Sequence, residues 1–198
     1  MAASGGPHLS PLPEGEGTSP FPRGEGGQGV RSAGKGARGL GPSRSLVVGL
    51  GNPILGDDGV GWHVAEEVSR VAAERSLPIE VDSLAVGGLA LMERMVGYDR
   101  VVVVDAIRTG SSPIGAVTLL CLPNLPDPGA GHLSSGHDAT LQTALAAGRA
   151  LGAELPDDAS ISIVAIEAEE VFDFEEGLTP PVAAAVPVAA QLVLDVLG

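Results

Sequence analysis

The chain has 198 residues, with 25 acids against 11 bases, 29 glycines, 16 prolines and one cysteine. A single thiol excludes an internal disulfide framework and any zinc site built on two or four cysteines. Setting aside the five bases and three acids of residues 1–45 leaves 22 acids and 6 bases, a formal charge of −16 that a phosphate backbone would repel, so nucleic acid is not an expected partner.

Residues 1–44 read as a disordered Gly/Pro-rich extension, and residues 45–198 as one α/β domain. The extension holds an imperfect nine-residue repeat, Ser10–Thr18 followed by Ser19–Gly27, with one large apolar side chain per copy. Such a unit cannot bury enough surface to offset the entropy of ordering it. Residues 1–45 are therefore expected to be dispensable.

The folded part opens with an apolar run, Ser45–Leu50, and a Gly/Asn/Pro turn. From Val60 the period becomes helical, with Val60, Val64, Val68 and Val71/Ala72 on one face. Ile79–Leu84 reads as a second strand. Gly87–Gly97 reads as a helix with Leu89, Met92 and Met95/Val96 on its stripe. In Arg100–Asp105, four successive valines leave no polar side, so this strand is expected to be buried on both faces. Gly115–Leu122 reads as a strand joined to it directly, which suggests one antiparallel neighbour. A Pro/Gly-rich loop, a helix over Asp138–Leu151 and a strand over Ser160–Glu167 follow. Thr179 is placed to cap a last helix with Pro180 in its first turn, and Pro187 is expected to kink it.

The order β-α-β-α-β-β-α-β-α implies an open, mostly parallel twisted sheet of about five strands with helices on both faces and one antiparallel strand. No run approaches the ~18 uninterrupted apolar residues of a membrane span and no signal-peptide core is evident; a cytoplasmic protein with no membrane partner is expected.

In open sheets of this kind, ligands sit beyond the carboxyl ends of the strands. Asp57 and Asp58 follow the first strand, Asp82 and Ser83 end the second, Asp105 ends the third, and His137 starts a helix. Converging carboxylates repel unless a cation sits among them, and His nitrogen with carboxylate oxygen suits several first-row metals, nickel and zinc included. Plainer roles stand beside this one: helix capping for Asp57 and Asp58, a turn for Asp105, a helix start for His137. Asp105 is the strongest of the set, because an unpaired carboxylate closing an apolar strand is costly.

Other chemistries find less support. Gly49-Leu-Gly51-Asn-Pro-Ile54 lacks the third glycine of a dinucleotide loop, and no Gly-Lys-Ser/Thr follows it. The one lysine, Lys35, lies in the extension, and Gly-x-Ser-x-Gly is absent. Cys121, inside an apolar strand, reads as an inert core thiol.

Four stretches carry a family resemblance. Leu46–Gly61 (LVVGLGNPILGDDGVG), Tyr98–Ile107 with Gly115, Gly136-His-Asp138 with Leu141, and Ile163–Glu167 with Gly177-Leu-Thr-Pro180 together resemble the hydrogenase maturation proteases. The resemblance implies an aspartic-type, nickel-dependent endopeptidase that trims the C-terminus of the nickel-iron hydrogenase large-subunit precursor after nickel insertion. The nickel would be supplied by the precursor. It further implies Asp58 and Asp105 as catalytic acids and, with His137, as metal ligands. Asp82, Gly87 and Gly88 occupy the place of a family stretch linked to substrate choice. A nucleotide-binding or regulatory α/β module, and a nickel metallochaperone without cleavage, remain as alternatives.

Overall fold

The computed structural model describes residues 43–124, 141–169 and 177–198. Five strands and four helices follow in order: β1 Ser45–Leu50, α1 Val60–Arg75, β2 Ile79–Leu84, α2 Gly88–Arg94, β3 Arg100–Ile107, β4 Val117–Cys121, α3 Leu141–Ala150, β5 Ile161–Glu167 and α4 Pro180–Leu197. The sheet runs β2-β1-β3-β5-β4; β4 is antiparallel to β5 and the other pairings are parallel.

The four valines of β3 alternate between two apolar layers. Val101 and Val103 pack with Leu91, Met92, Met95, Leu145 and Ile161 under α2 and α3. Val102 and Val104 pack with Val64, Val68, Val164, Val182 and Val193 under α1 and α4. A strand buried on both faces has to lie inside the sheet, and β3 sits between β1 and β5. On α1, Val60, Val64, Val68 and Ala72 face inward, as their spacing requires.

Three expectations need correction. The antiparallel strand β4 does not pair with β3; the chain crosses past β5, and β4 takes the edge beyond it. The reason is burial: β5 is apolar nearly throughout and belongs inside, whereas β4 exposes Thr118, Leu119 and Cys121. Cys121 is consequently exposed and is no core thiol. The second helix is shorter than read, Gly88–Arg94, and its inward stripe is Leu91, Met92 and Met95 rather than one begun by Leu89, which is exposed. The start of the helix expected from Asp138 lies outside the described residues.

Helix α4 continues through Pro187, whose ring is exposed. It is the one helix among the described residues long and apolar enough to cross a membrane. Here it packs against α1 through Val182, Ala185, Ala189, Ala190 and Val193.

The chain is already held at Arg44. Its backbone N–H donates to Asp99 Oδ2 at 2.9 Å, its carbonyl accepts from the Asp99 amide at 2.9 Å, and its guanidinium lies 4.8 Å from the Tyr98 ring centroid. A truncation meant to spare the fold has therefore to stop before Arg44, because removing 1–45 also takes these contacts and the first residue of β1. Deleting residues 1–42 should leave the thermal midpoint unchanged, while deleting 1–45 should lower it by several degrees, on the order of 1 kcal/mol of lost stability. Equal midpoints for the two truncations would contradict this boundary.

Candidate active site

The site is set by how closely the start of α1 approaches the strand ends. A Cβ on Gly61 would lie 2.2 Å from the Leu50 carbonyl oxygen and 2.6 Å from that of Val104, so no side chain fits there. The same contact presses the Gly61 carbonyl against Gly49 of β1. Gly51 adopts φ +116°, and a Cβ there would meet the Asp58 carbonyl oxygen at 1.8 Å. The Gly51 N–H donates to the Leu84 carbonyl at 3.2 Å, which the Trp62 indole N–H also reaches at 3.3 Å. The glycines of the β1–α1 loop thus serve close packing of the loop on itself and on the sheet. They leave a dinucleotide reading without its main support.

This packing delivers Asp58 to the carboxyl edge of β1 and β3. Asp58 lies in a short 3₁₀ turn, Gly56–Gly59, and is exposed; its Oδ2 accepts the Asn52 N–H at 2.6 Å. Asp105 projects from β3 opposite Ala165 of β5 and is partly buried. Desolvation pushes the Asp105 carboxyl up to about 7, the Asp58 charge adds to the rise, and a hydrogen bond from the Ala106 backbone offsets part of it. A carboxyl raised by burial and by a neighbouring carboxylate is stabilised either by a proton or by a cation close to it. Oxygen donors of this kind fit a divalent metal, with an imidazole as a reasonable third ligand.

The other sequence-derived residues fall in different places. Among the described residues no three His, Cys, Asp or Glu side chains gather as a metal cluster. His137 lies outside the described residues. Asp82 is two residues short of the end of β2, and its carboxylate is engaged by Arg94 Nε at 2.5 Å and by the Ser83 N–H at 2.8 Å. The Arg94 contact holds the Asp82 carboxyl below its ordinary range. Gly87 precedes α2 and Gly88 opens it with φ +61°.

Two buried carboxylates flank the pair, and sequence reading assigned neither its structural role. Asp57 is wholly buried and accepts the Thr179 N–H at 2.7 Å and the Thr179 hydroxyl at 2.9 Å. Thr179 therefore does not cap α4 with its side chain, contrary to expectation; its hydroxyl is donated to Asp57 instead. Glu167, at the end of β5, accepts the Thr109 and Gly110 N–H groups at 2.7 and 2.8 Å and the Thr109 hydroxyl at 2.7 Å. Burial raises the Glu167 carboxyl, but these donors outweigh it and hold it below the ordinary value. Its sequence signal is an acid closing an apolar strand, the same one that marked Asp105.

A profile of the hydrogenase maturation proteases matches residues 62–196. The chain belongs to the hydrogenase maturation protease family. The match takes in Asp105 and His137 and begins after Asp58 and Gly61, so it does not draw on the glycine-rich signature. Among relatives, the hydrogenase expression/formation protein HupD of Bradyrhizobium diazoefficiens is 30% identical over 158 residues, covering 79% of this chain and 79% of its own. HupD of Rhizobium leguminosarum bv. viciae is 28% identical over 161 residues, covering 80% and 77%. In three dimensions the chain resembles the hydrogenase maturating endopeptidase HybD from E. coli, with a TM-score of 0.59, 27% identity, and coverage of 78% of this chain and 91% of that one. In this maturation protease, then, the Asp58–Asp105 pair lies where open sheets place their ligands.

The raised Asp105 carboxyl has a consequence for stability. In the unfolded chain the group ionises near 3.8, in the fold near 7, so the fold keeps a proton the unfolded chain has lost. Stability should fall as pH rises through that window and level off above it. Asp105→Asn removes the effect. The variant should match the parent near pH 4 and exceed it at pH 8, by at most on the order of 3–4 kcal/mol. Urea unfolding at the two pH values checks this; a difference that does not change with pH would contradict it.

Proposed function

We propose that this maturation protease removes the C-terminal extension of a nickel-iron hydrogenase large-subunit precursor, in the cytoplasm, after nickel has been inserted, and that it recognises the inserted nickel. The observation that carries the reading is the carboxyl of Asp105, raised by burial and by the neighbouring Asp58 charge, at the sheet's carboxyl edge of a chain in this family. Before the precursor arrives, burial and, after it, the neighbouring Asp58 charge push the Asp105 carboxyl up to about 7 and favour its protonated form. A precursor carrying nickel brings the positive charge that this pair lacks. Asp105 can then ionise beside Asp58 and, with His137, the two carboxylates face the metal of the substrate. A precursor without nickel offers no such charge and leaves Asp105 favouring its protonated form. The dependence of cleavage on metal insertion follows from that difference.

The same pair suits an aspartic-type hydrolysis. A carboxyl group poised near the ambient pH is well matched to taking a proton from an attacking water and returning it to the leaving amine. The nickel in the substrate supplies Lewis acidity at the scissile region. Asp58 Oδ2 is held by the Asn52 amide, and no hydrogen bond among the described residues engages its other oxygen, which is left for this task. Substrate choice is assigned to the β2–α2 loop. Val86 and Leu89 are exposed there, at 58% and 54%, on either side of Gly87 and Gly88, and Asp82 supports the loop through its pairing with Arg94.

The test is release of the C-terminal peptide from nickel-loaded and nickel-free precursor, followed by mass. Only the loaded form should be cut. Asp58→Asn, Asp105→Asn and His137→Ala should each remain folded and slow release by about 100-fold or more. Undiminished release by Asp105→Asn, or equal cutting of nickel-free precursor, would overturn the reading. Nickel uptake without peptide release would make the protein a carrier.

A further inference from the structure

Asp57 and Glu167 are the two buried charged residues among the described part of the chain. Glu167 organises the loop that leaves β3. Asp57 does something different, because it joins positions 122 residues apart, one of them next to Asp58. Its two oxygens are used separately, Oδ1 by the Thr179 amide and Oδ2 by the Thr179 hydroxyl. Both donors come from one residue, so the carboxylate is held in position and also in rotation.

Thr179 is itself well anchored. It immediately precedes α4, its carbonyl accepts the Ala183 N–H at 2.8 Å, and the two residues after it are Pro180 and Pro181, which have no N–H to compete for the carboxylate. Helix α4 is in turn packed along α1. A buried carboxylate is a costly way to fill space, and an apolar side chain would serve packing better. What the carboxylate adds is direction. Asp57 and Asp58 share a peptide plane within one 3₁₀ turn, so a rotation at Asp57 is passed to Asp58. The Asp58 N–H is bonded to the Leu55 carbonyl at 3.2 Å, and its side chain to the Asn52 N–H at 2.6 Å. Loss of the clasp would loosen this turn first.

We propose that Asp57 is a positioning residue: through its clasp on Thr179 it transfers the rigidity of α4 to the turn that aims the Asp58 carboxylate at Asp105. The proposal rests on the proteolytic reading for its kinetic consequence, though not for its structural one. The role is analogous to that of the outer residues that orient metal-binding carboxylates, whose loss costs about 10–100-fold in activity.

Thr179→Val removes the hydroxyl and keeps the shape, and Thr179→Ser restores the hydroxyl. In the Val variant kcat for peptide release should fall by about 10-fold or more with KM for the loaded precursor little changed, and the Ser variant should recover most of it. Amide hydrogen exchange at Asn52, the donor to Asp58, should quicken by about 10-fold in the folded Val variant and not in the Ser variant. If Thr179→Val does not fold, Asp57→Asn is measured in the same two ways, with the same expected losses. A folded variant with unchanged kcat and unchanged Asn52 exchange would overturn the proposal. If the parent protein itself releases no peptide, the proteolytic reading fails, and the Asn52 exchange rates alone decide the positioning role.

Discussion

The approach of α1 to the ends of β1 and β3 is the constraint on which the rest of the site depends. Gly61 lies so close to the Leu50 and Val104 carbonyls that the helix start is held against the sheet by backbone alone. From there the loop has one way back to β1: over Gly51, whose positive φ brings the Asp58 backbone against it. The placement of the Asp58 turn relative to the β3 end is therefore decided by main-chain packing. A site set in this way is stiffer than one set by side-chain rotamers, and stiffness is what a pair of like charges needs if it is to stay together without a cation.

The other two acids of these loops are satisfied by hydrogen bonds. Asp57 and Glu167 are both deeply buried, and each receives hydrogen bonds that hold it in place, from Thr179 in one case and from Thr109 and Gly110 in the other. Buried acids with such partners are tolerable; Asp105, with a single backbone donor and a charged neighbour, is not comfortable in its ionised form. The contrast among acids at one sheet edge separates structure from chemistry. The satisfied ones brace the loops after β1 and β3, and the unsatisfied one is the acid whose ionisation the fold opposes.

Much of this was legible in the residues, for physical reasons that can be named. The bounds of β1 and β2 and the inward face of α1 follow from apolar periodicity, and the double burial of β3 from four valines with no polar face. The edge position of β4 was not legible, because strand order depends on where a crossover lands and not on the strand's own pattern. The stripe of α2 was misread because a seven-residue helix has too few turns for its period to be decided by spacing. Asp82 stood out by its place near the end of β2, but its ion pair with Arg94, 12 residues on in α2, was not legible from the pattern. The Asp57–Thr179 clasp was hidden for the same reason: adjacent aspartates reveal a cluster of charge, not which of them turns inward.

The central claim is that Asp58 and Asp105, with His137, meet the nickel carried by the precursor. A crystal structure of the chain bound to nickel-loaded large-subunit precursor, stalled by Asp105→Asn or at low temperature, tests it most directly, because anomalous scattering locates the ion without reference to activity. The ion should lie at coordinating distance, about 2.0–2.2 Å, from an oxygen of Asp58 and from a nitrogen of His137, with residue 105 facing it across the same spot. A nickel ion seated in the complex away from the β1 and β3 carboxyl ends, with Asp58 and residue 105 facing only solvent, would contradict the account.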